Sequence, residues 1–569
     1  MKRRRKMAEF NLLDEPWLVV MTDDKGTIKE VSLKELFEHA HEYKCLAGET
    51  PTQDFAILRL LLAVLHTVFS RFDADGNQYD YVDLDEKYKQ IQPIDQEDDG
   101  DDYQDGLLET WQQLWHRKKF PEIIGDYLEK WHDRFYLFGG EFPFYQVSRE
   151  TLGLPSNQIN KAKPNQVSGK TINRVLSESE NKVILFSPQH NAIKNKLKQS
   201  EIARWLVLYQ GVTGTGDKVK FANQDEEQKL NKGWLYDLGG VYPSGDNLFD
   251  TILLNLALVH PEPEFIQIQT PIWEEESNQI QLDKFRKLNQ VNNMAFLYTN
   301  WSRAVTMPDA YDENDEFSIS VIKLPEIPHQ NNFLELMTEW RFNKVGDNKD
   351  TFTPKKHSLT EQFWRSFGAT FIPNQATQRR PGIVDWIISL EDANICLENV
   401  QFNAVSMEDD GNATSWNPIN EIVDHLNFEN ILSDQDDSWI SSISDQVDMI
   451  KIVIDRVLWS FANDIKTIRN LSTSEFVNRV KQTAYYQVDL PFRDWLASIQ
   501  PSDEKEVKQK EWRRKLRKII ESEAQHLVET MGNRDIIGVE DGTYIKNIFT
   551  AYNRFKYKLE EMLPKEKEE

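Results

Sequence analysis

A chain of 569 residues is too long for one hydrophobic core, and at roughly 100–200 residues per domain it implies two or more. Apolar residues make up 39% of it and it carries 16 tryptophans, which excludes an intrinsically disordered chain. A formal net charge of −26 argues against a free-standing nucleic-acid binder, because phosphate contacts need Lys and Arg; a net sum hides local patches, however, so DNA contact supported by other subunits stays open. The two cysteines, Cys45 and Cys396, form no CxxC pair, which argues against a cysteine-rich zinc site and is in keeping with a reducing cytoplasm. No uninterrupted apolar run reaches ~18 residues, so no membrane-spanning helix is expected. The basic start from Met1 lacks the apolar stretch of a signal peptide, and Met7 is an alternative translation start.

Residues 10–31 read as a β-hairpin: Phe10 to Met21 is an apolar run, Asp23 to Gly26 carries turn chemistry, and Thr27 to Val31 returns. Ser32 and Glu35 have capping-box spacing and open a short helix. Asp54 to Phe72 reads as an amphipathic helix with Phe55, Leu58, Leu61, Leu62, Leu65 and Val68 along one side, and His66 beside that stripe reads as a core residue. The acidic run over 95–105 lacks the ligand spacing and terminal Glu of a calcium loop and reads as a solvated, mobile loop. Residues 120–410 mix strands, helices and long polar connections. The segments 150–180 and 217–232 are poor in apolar residues and are expected to be flexible.

Near 415–435 the character changes. Ile443, Val447, Ile450, Ile454, Val457, Phe461, Ile465 and Ile468 recur in steps of three and four, one helical stripe. The box Ser472 to Glu475 opens a second helix, Trp512, Leu516, Ile519, Ile520, Leu527 and Met531 mark a third, and Tyr544 to Leu563 a fourth. The fold class expected is therefore α+β: a large mixed domain over 1–425, followed by a C-terminal four-helix bundle over 426–569.

Signatures of metalloproteases, serine hydrolases and kinases are absent. The stretch Gly211 to Lys218 comes near a phosphate-binding loop, but Val219 occupies the place of the Ser or Thr that would hold the metal. A cytoplasmic nucleotide-dependent enzyme using Gly211–Lys218 is the alternative to a non-catalytic role.

The order and spacing of several landmarks identify a family. Phe10 to Val19, Phe135 to Phe138 with Pro143 to Gln146, the glycine-rich Gly211 to Asp217, and Gly233–Trp234 come first. Leu238 to Gly240 leading into Asp250 to Leu256, Pro271 to Trp273 and Trp301 to Arg303 complete the set with the C-terminal helices. Together they resemble the CasA family, the large subunit of the type I-E CRISPR Cascade complex. The resemblance implies a cytoplasmic, non-enzymatic subunit with no cofactor, no metal and no membrane association. It would sit near the 5′ end of the guide RNA among other Cascade subunits, read the protospacer-adjacent motif of target double-stranded DNA, help open the duplex, and recruit a helicase-nuclease. Guide pairing reads the sequence, so the protein has only a short motif to recognise, a division of labour familiar from another RNA-guided effector.

The resemblance also assigns residues. Gly211, Thr213, Gly214, Thr215 and Gly216, with Lys218 as a phosphate contact, would form the loop that approaches the minor groove, where bulky side chains would intrude. Gly411, Asn412 and Thr414 would form a wedge, Asn412 being the inserting residue. Lys323 would reach the groove, with Lys344, Lys355 and Lys356 as competitors. Phe186, Gln189, Asn191 and Lys194 would touch guide RNA and a neighbouring subunit by stacking and charge. The basic run ending in Arg513, Arg514, Arg517 and Lys518 is either a solvated helix face or a surface that holds DNA.

Overall fold

The computed structural model describes residues 9–148, 164–178, 187–216, 219–221, 232–287, 291–393, 395, 397, 399–412, 418–427, 439–542 and 544–565. The chain divides into two compact units: Met1–His357, Thr377–Ser389 and Phe402–Asp424 form the first, and Ser358–Ala376, Leu390–Gln401 and His425–Glu569 the second. The second unit thus draws in two segments that precede the C-terminal helices in sequence.

The first unit is organised on the helix Pro51–Phe69. It starts three residues before its sequence pattern suggests because Thr50 caps it, accepting from the Gln53 amide, and Pro51 suits the first turn. Its burial is not one-sided, for every residue from Phe55 to Ser70 is buried, Arg59 and His66 included. Length and composition alone would let this helix cross a membrane. Its apolar surface is instead covered by the helices Ile123–Lys130, Gln199–Val212, Leu248–Leu254 and Met294–Tyr298. Arg59 is paired in a bidentate fashion with Glu335 at 2.7 and 2.7 Å, and Arg71 with Glu274 at 2.8 and 2.9 Å. Burial pushes the His66 imidazole down to about 3, so it is a neutral core residue.

The N-terminal hairpin is shorter than expected. Leu18–Met21 pairs antiparallel with Ile28–Val31, and the turn is held by Asp23, which accepts from the Lys25 and Thr27 amides. Phe10–Asn11 leaves it and pairs with Tyr136–Phe138, because the Asn11 carboxamide oxygen caps the Leu13 amide and turns the chain. The acidic run is not simply a loop: Gly100–Arg117 is a helix with Asp101 and Asp102 in its first turn, where the helix dipole favours carboxylates. Tyr103, Leu107, Trp111 and Leu114 are its buried stripe.

Two three-stranded sheets lie near the candidate site. In one, Ser318–Lys323 runs between Arg303–Thr306 and Asn165–Ser168, antiparallel to both. Asn165–Ser168 falls in a segment expected to be flexible, and its pairing with Ser318–Lys323 supplies the order its composition does not. In the other, Gln401–Asp409 runs between Gly240–Ser244 and Pro418–Asn427. Residues 150–163, 179–180, 217–218 and 222–231, also expected to be flexible, lie outside the described residues.

In the second unit Trp439–Ile452 continues through a π-helical stretch, Val453–Leu458, into Trp459–Arg469. Glu475–Ala497 begins after Ser474, not Ser472. Lys505–Glu529 is the third long helix. The last helix, Ile548–Met562, starts later than expected because Tyr544–Lys546 pairs with Val539–Asp541 as a hairpin and Asn547 caps the helix, accepting from the Phe549 and Thr550 amides. Trp459–Arg469 packs on Glu475–Ala497 and on Ile548–Met562, and Lys505–Glu529 packs on both of these. Phe492, Trp495 and Trp512 form an aromatic core that Trp364 joins, 4.8 Å from the Phe492 ring and donating to Asp489 at 2.8 Å.

Candidate functional site

The glycine-rich segment begins in the last turn of Gln199–Val212. A Cβ on Gly211 would stand 2.7 Å from the Leu235 side chain, and one on Gly233 would stand 2.2 Å from the Gly211 carbonyl oxygen. The missing side chains let two backbone segments touch, sealed by the Gly233 amide donating to Thr213 O at 2.9 Å. Gly211, itself half-buried, therefore serves internal packing on this side. Thr213 and Thr215 are buried as well, and the Thr213 hydroxyl bonds Ser302 at 2.6 Å. Gly214 is half-buried and Gly216 exposed. Lys218 lies outside the described residues.

Two buried cations hold this loop from below. The Arg303 guanidinium donates to Gly214 O at 2.6 Å and to Ser302 O at 2.8 Å. The Lys323 ammonium donates to Thr215 O at 2.8 Å, so it is turned inward and supports the loop from within instead of reaching out from it. Gln210 locks the adjoining strand, accepting from the Ser302 and Arg303 amides and donating to Arg303 O. Among the competing lysines, Lys344 is exposed, Lys355 lies 3.5 Å from Glu339, and Lys356 contacts Asp409 at 3.0 Å. Burial pushes the Glu326 carboxyl up to about 7, reinforced by Asp237 and opposed by Lys232, Arg303 and Lys323. The Trp234 indole, beside Gly233, donates to Glu335 at 2.6 Å and stacks on His329 at 4.1 Å, which ties the neighbouring turn to the Arg59 pair.

Among the described residues, the Thr213–Gly216 segment differs from a phosphate-binding loop in its place in the fold. It follows the C-terminal end of a helix, the negative end of the dipole, whereas phosphate loops lead into a helix N-terminus. Its carbonyls at Gly214 and Thr215 are already engaged by cations. Lys218, on which the nucleotide alternative turns, is not among the described residues.

At the tip beyond Gln401–Asp409, Gly411 has φ +64°, and Gly411 and Asn412 are exposed. The Gly411 amide donates to Asp409 at 2.9 Å and the Asn412 amide to Asp410 at 3.0 Å. Thr414 lies outside the described residues. Burial opposes ionisation of Asp409, yet the Gly411 amide, Lys356 and Tyr236 together hold its carboxyl below the usual range.

Of the residues expected to meet guide RNA, Phe186 lies outside the described residues, Gln189 is half-buried and Asn191 exposed. Lys194 is buried and donates to both Glu178 oxygens at 2.6 and 2.8 Å, so its charge is used inside the fold, while Lys196 and Lys198 are exposed. The basic run on Lys505–Glu529 is divided by the helical period. Arg513 donates to Gln446 at 3.0 Å, and buried Arg517 to Glu521 at 2.9 Å, Glu560 at 2.7 Å and Leu563 O. Arg514 and Lys518 are exposed. Sequence reasoning gave no role to Arg303; the sole signal was its place in the Trp301 to Arg303 landmark.

Residues 11–522 match the family model described as CRISPR-associated protein Cse1. The CRISPR-associated protein CasA/Cse1 of Thermus thermophilus is 26% identical over 374 residues; the match covers 65% of this chain and spans 61% of the length of that relative. The crystal structure of Thermobifida fusca Cse1 is similar with a TM-score of 0.74 at 23% identity, over 98% of both chains. A chain of a CRISPR RNA-guided surveillance complex is similar with a TM-score of 0.65 at 14% identity, over 97% of this chain and 99% of that one. At these identities the structural likeness speaks for the fold, a mixed helix-and-sheet architecture with a helical C-terminal region.

Proposed function

The chain belongs to the CRISPR-associated Cse1 family, and from that premise we propose that it is the large subunit of a type I-E Cascade surveillance complex, one that inspects foreign duplex DNA for a flanking motif. The observation that carries this reading is the Thr213–Gly216 loop: Arg303 and Lys323 draw its carbonyls inward, while Gly214 and Gly216 are the residues left toward the surface. A backbone edge without side chains suits a narrow minor groove, whose pattern is degenerate and permissive. The exposed Gly411–Asn412 tip suits a wedge that starts strand separation. Exposed Arg514 and Lys518 suit a backbone contact, and a chain of net charge −26 needs guide RNA and the other subunits to keep it on DNA. In this reading the subunit is cytoplasmic and not itself a nuclease, and a helicase-nuclease is recruited after target binding.

The test is binding of a guide-loaded complex, with and without this subunit, to duplexes carrying or lacking a flanking motif, at one salt concentration. Motif discrimination is expected only with the subunit, and Gly214→Val or Gly216→Val should lower it about tenfold or more. A subunit that neither joins the complex nor changes discrimination would overturn the reading.

A further inference from the structure

A row of alternating charges runs beside the glycine loop. Lys232 Nζ lies 3.1 and 3.0 Å from the Asp237 oxygens, and Lys356 Nζ lies 3.9 Å from Asp237 Oδ1 and 3.0 Å from Asp409 Oδ2. The ring of Tyr236 faces both ammonium groups, 4.8 Å from Lys232 and 4.0 Å from Lys356. One end of the row is the turn Gly233–Asp237, whose first residue touches Gly211. The other end is the hairpin tip, where the second Asp409 oxygen accepts from the Gly411 amide at 2.9 Å. Lys356 and Asp409 are only 24% and 22% exposed, so solvent screens them less than a surface pair.

We propose that Lys356 is a positioning residue that couples the glycine loop to the hairpin tip, fixing Asp409, and through it the Gly411–Asn412 turn, at a set distance from the Gly211–Gly233 contact. This rests on the reading of the two loops as the DNA-contacting ones. Successive base pairs are about 3.4 Å apart, so a wedge must be held to within a fraction of that spacing from the element that reads the motif. The sheet that joins Gly240–Ser244 to Gln401–Asp409 ends before the tip. The charge row ends on Asp409, the last strand residue, whose bond to the Gly411 amide carries the connection into the turn. Lys356 has two carboxylates and an aromatic ring as partners within the protein, which is the environment of a clamp.

The test uses guide-loaded complexes containing the full chain as wild type, Lys356→Met, Asp409→Asn, the double variant and Lys356→Arg. Methionine keeps the stem beside Tyr236 without the charge, and asparagine keeps an oxygen for the Gly411 amide. Opening is read from 2-aminopurine at the first base pair beside the motif, and phosphate contacts from the dependence of affinity on salt. Each single variant is expected to slow opening about tenfold, the double variant no further, and Lys356→Arg to restore it, since a shared interaction is lost only once. The salt slope should not change. Losses that multiply in the double variant, or a slope shallower by about one with Lys356→Met, would overturn the proposal, the latter making Lys356 a phosphate contact. Discrimination and opening by the wild type with unaffected variants would overturn this inference alone. A wild-type complex blind to the motif would overturn the parent reading together with it.

Discussion

The two units use charge in opposite ways. In the first, cations are buried and committed to distant partners: Arg59 to Glu335, Arg71 to Glu274, Arg303 to Gly214 O and Lys323 to Thr215 O. In the second, the centre is aromatic, built on Trp364, Phe492, Trp495 and Trp512, and most of the basic run lies at the surface, with Arg517 buried among partners. A lone basic residue inside an apolar strand is thus a support, and a basic run on a helix is two populations separated by the helical period.

The contrast can be broken most severely at Glu335. Its replacement by Ala leaves the Arg59 guanidinium buried without its counter-ion and the Trp234 indole without an acceptor. Chemical denaturation should show a loss of about 3–5 kcal/mol. A loss below about 1 kcal/mol would mean that this pair does not organise the first unit.

Gly233→Ala comes next. Its methyl group would meet the Gly211 carbonyl oxygen, backbone that must shift as a whole, and a cost of about 1–3 kcal/mol is expected. The same variant should weaken motif discrimination, because the shift reaches Thr213. Stability lost with discrimination intact would separate this contact from the loop's function.

Asp54 sharpens the comparison through pH. Burial pushes its carboxyl up to about 7, the neighbouring Glu49 and Glu421 add to the effect, and the Gly48 amide and Arg204 oppose it. The folded state therefore holds the proton more tightly than the unfolded chain. Stability contributed by the protonated form is complete below about pH 4 and is lost as pH rises toward 7. Asp54→Asn should raise stability by about 1–2 kcal/mol at pH 8 and leave it unchanged at pH 3.5. Equal effects at both pH values would show that the carboxyl titrates normally.

The smallest effect compares two arginines three residues apart. Arg514→Met should change stability by no more than about 0.5 kcal/mol, as expected for a surface position. Arg517→Met, which removes a buried guanidinium and leaves the buried Leu563 carbonyl without its donor, should cost about 1–3 kcal/mol. Only the first should make the salt dependence of DNA binding shallower. Equal costs would mean that the run is one continuous surface.

Much of this protein was legible in its residues. The stripe from Ile443 to Ile468, the spacing of Trp512, Leu516 and Ile520, and the turn at Asp23 to Gly26 each report a local period or a local backbone need, and local physics is written within a few residues. The order of landmarks was enough to indicate the family. The helix Gly100–Arg117 was legible too, in Tyr103, Leu107, Trp111 and Leu114, but its acidic first turn masked it. What the tertiary structure alone decided is which partner each charge and each bare backbone atom takes. Lys323 turns inward because Thr215 O waits 108 positions earlier in the chain, and Lys194 is buried because Glu178 is folded against it. Gly211 and Gly233 are needed because two segments touch. Trp364 belongs to the second unit because Asp489 accepts its indole. Each of these depends on a group far away or on the path of another segment, and a period of two or 3.6 residues carries no information about either.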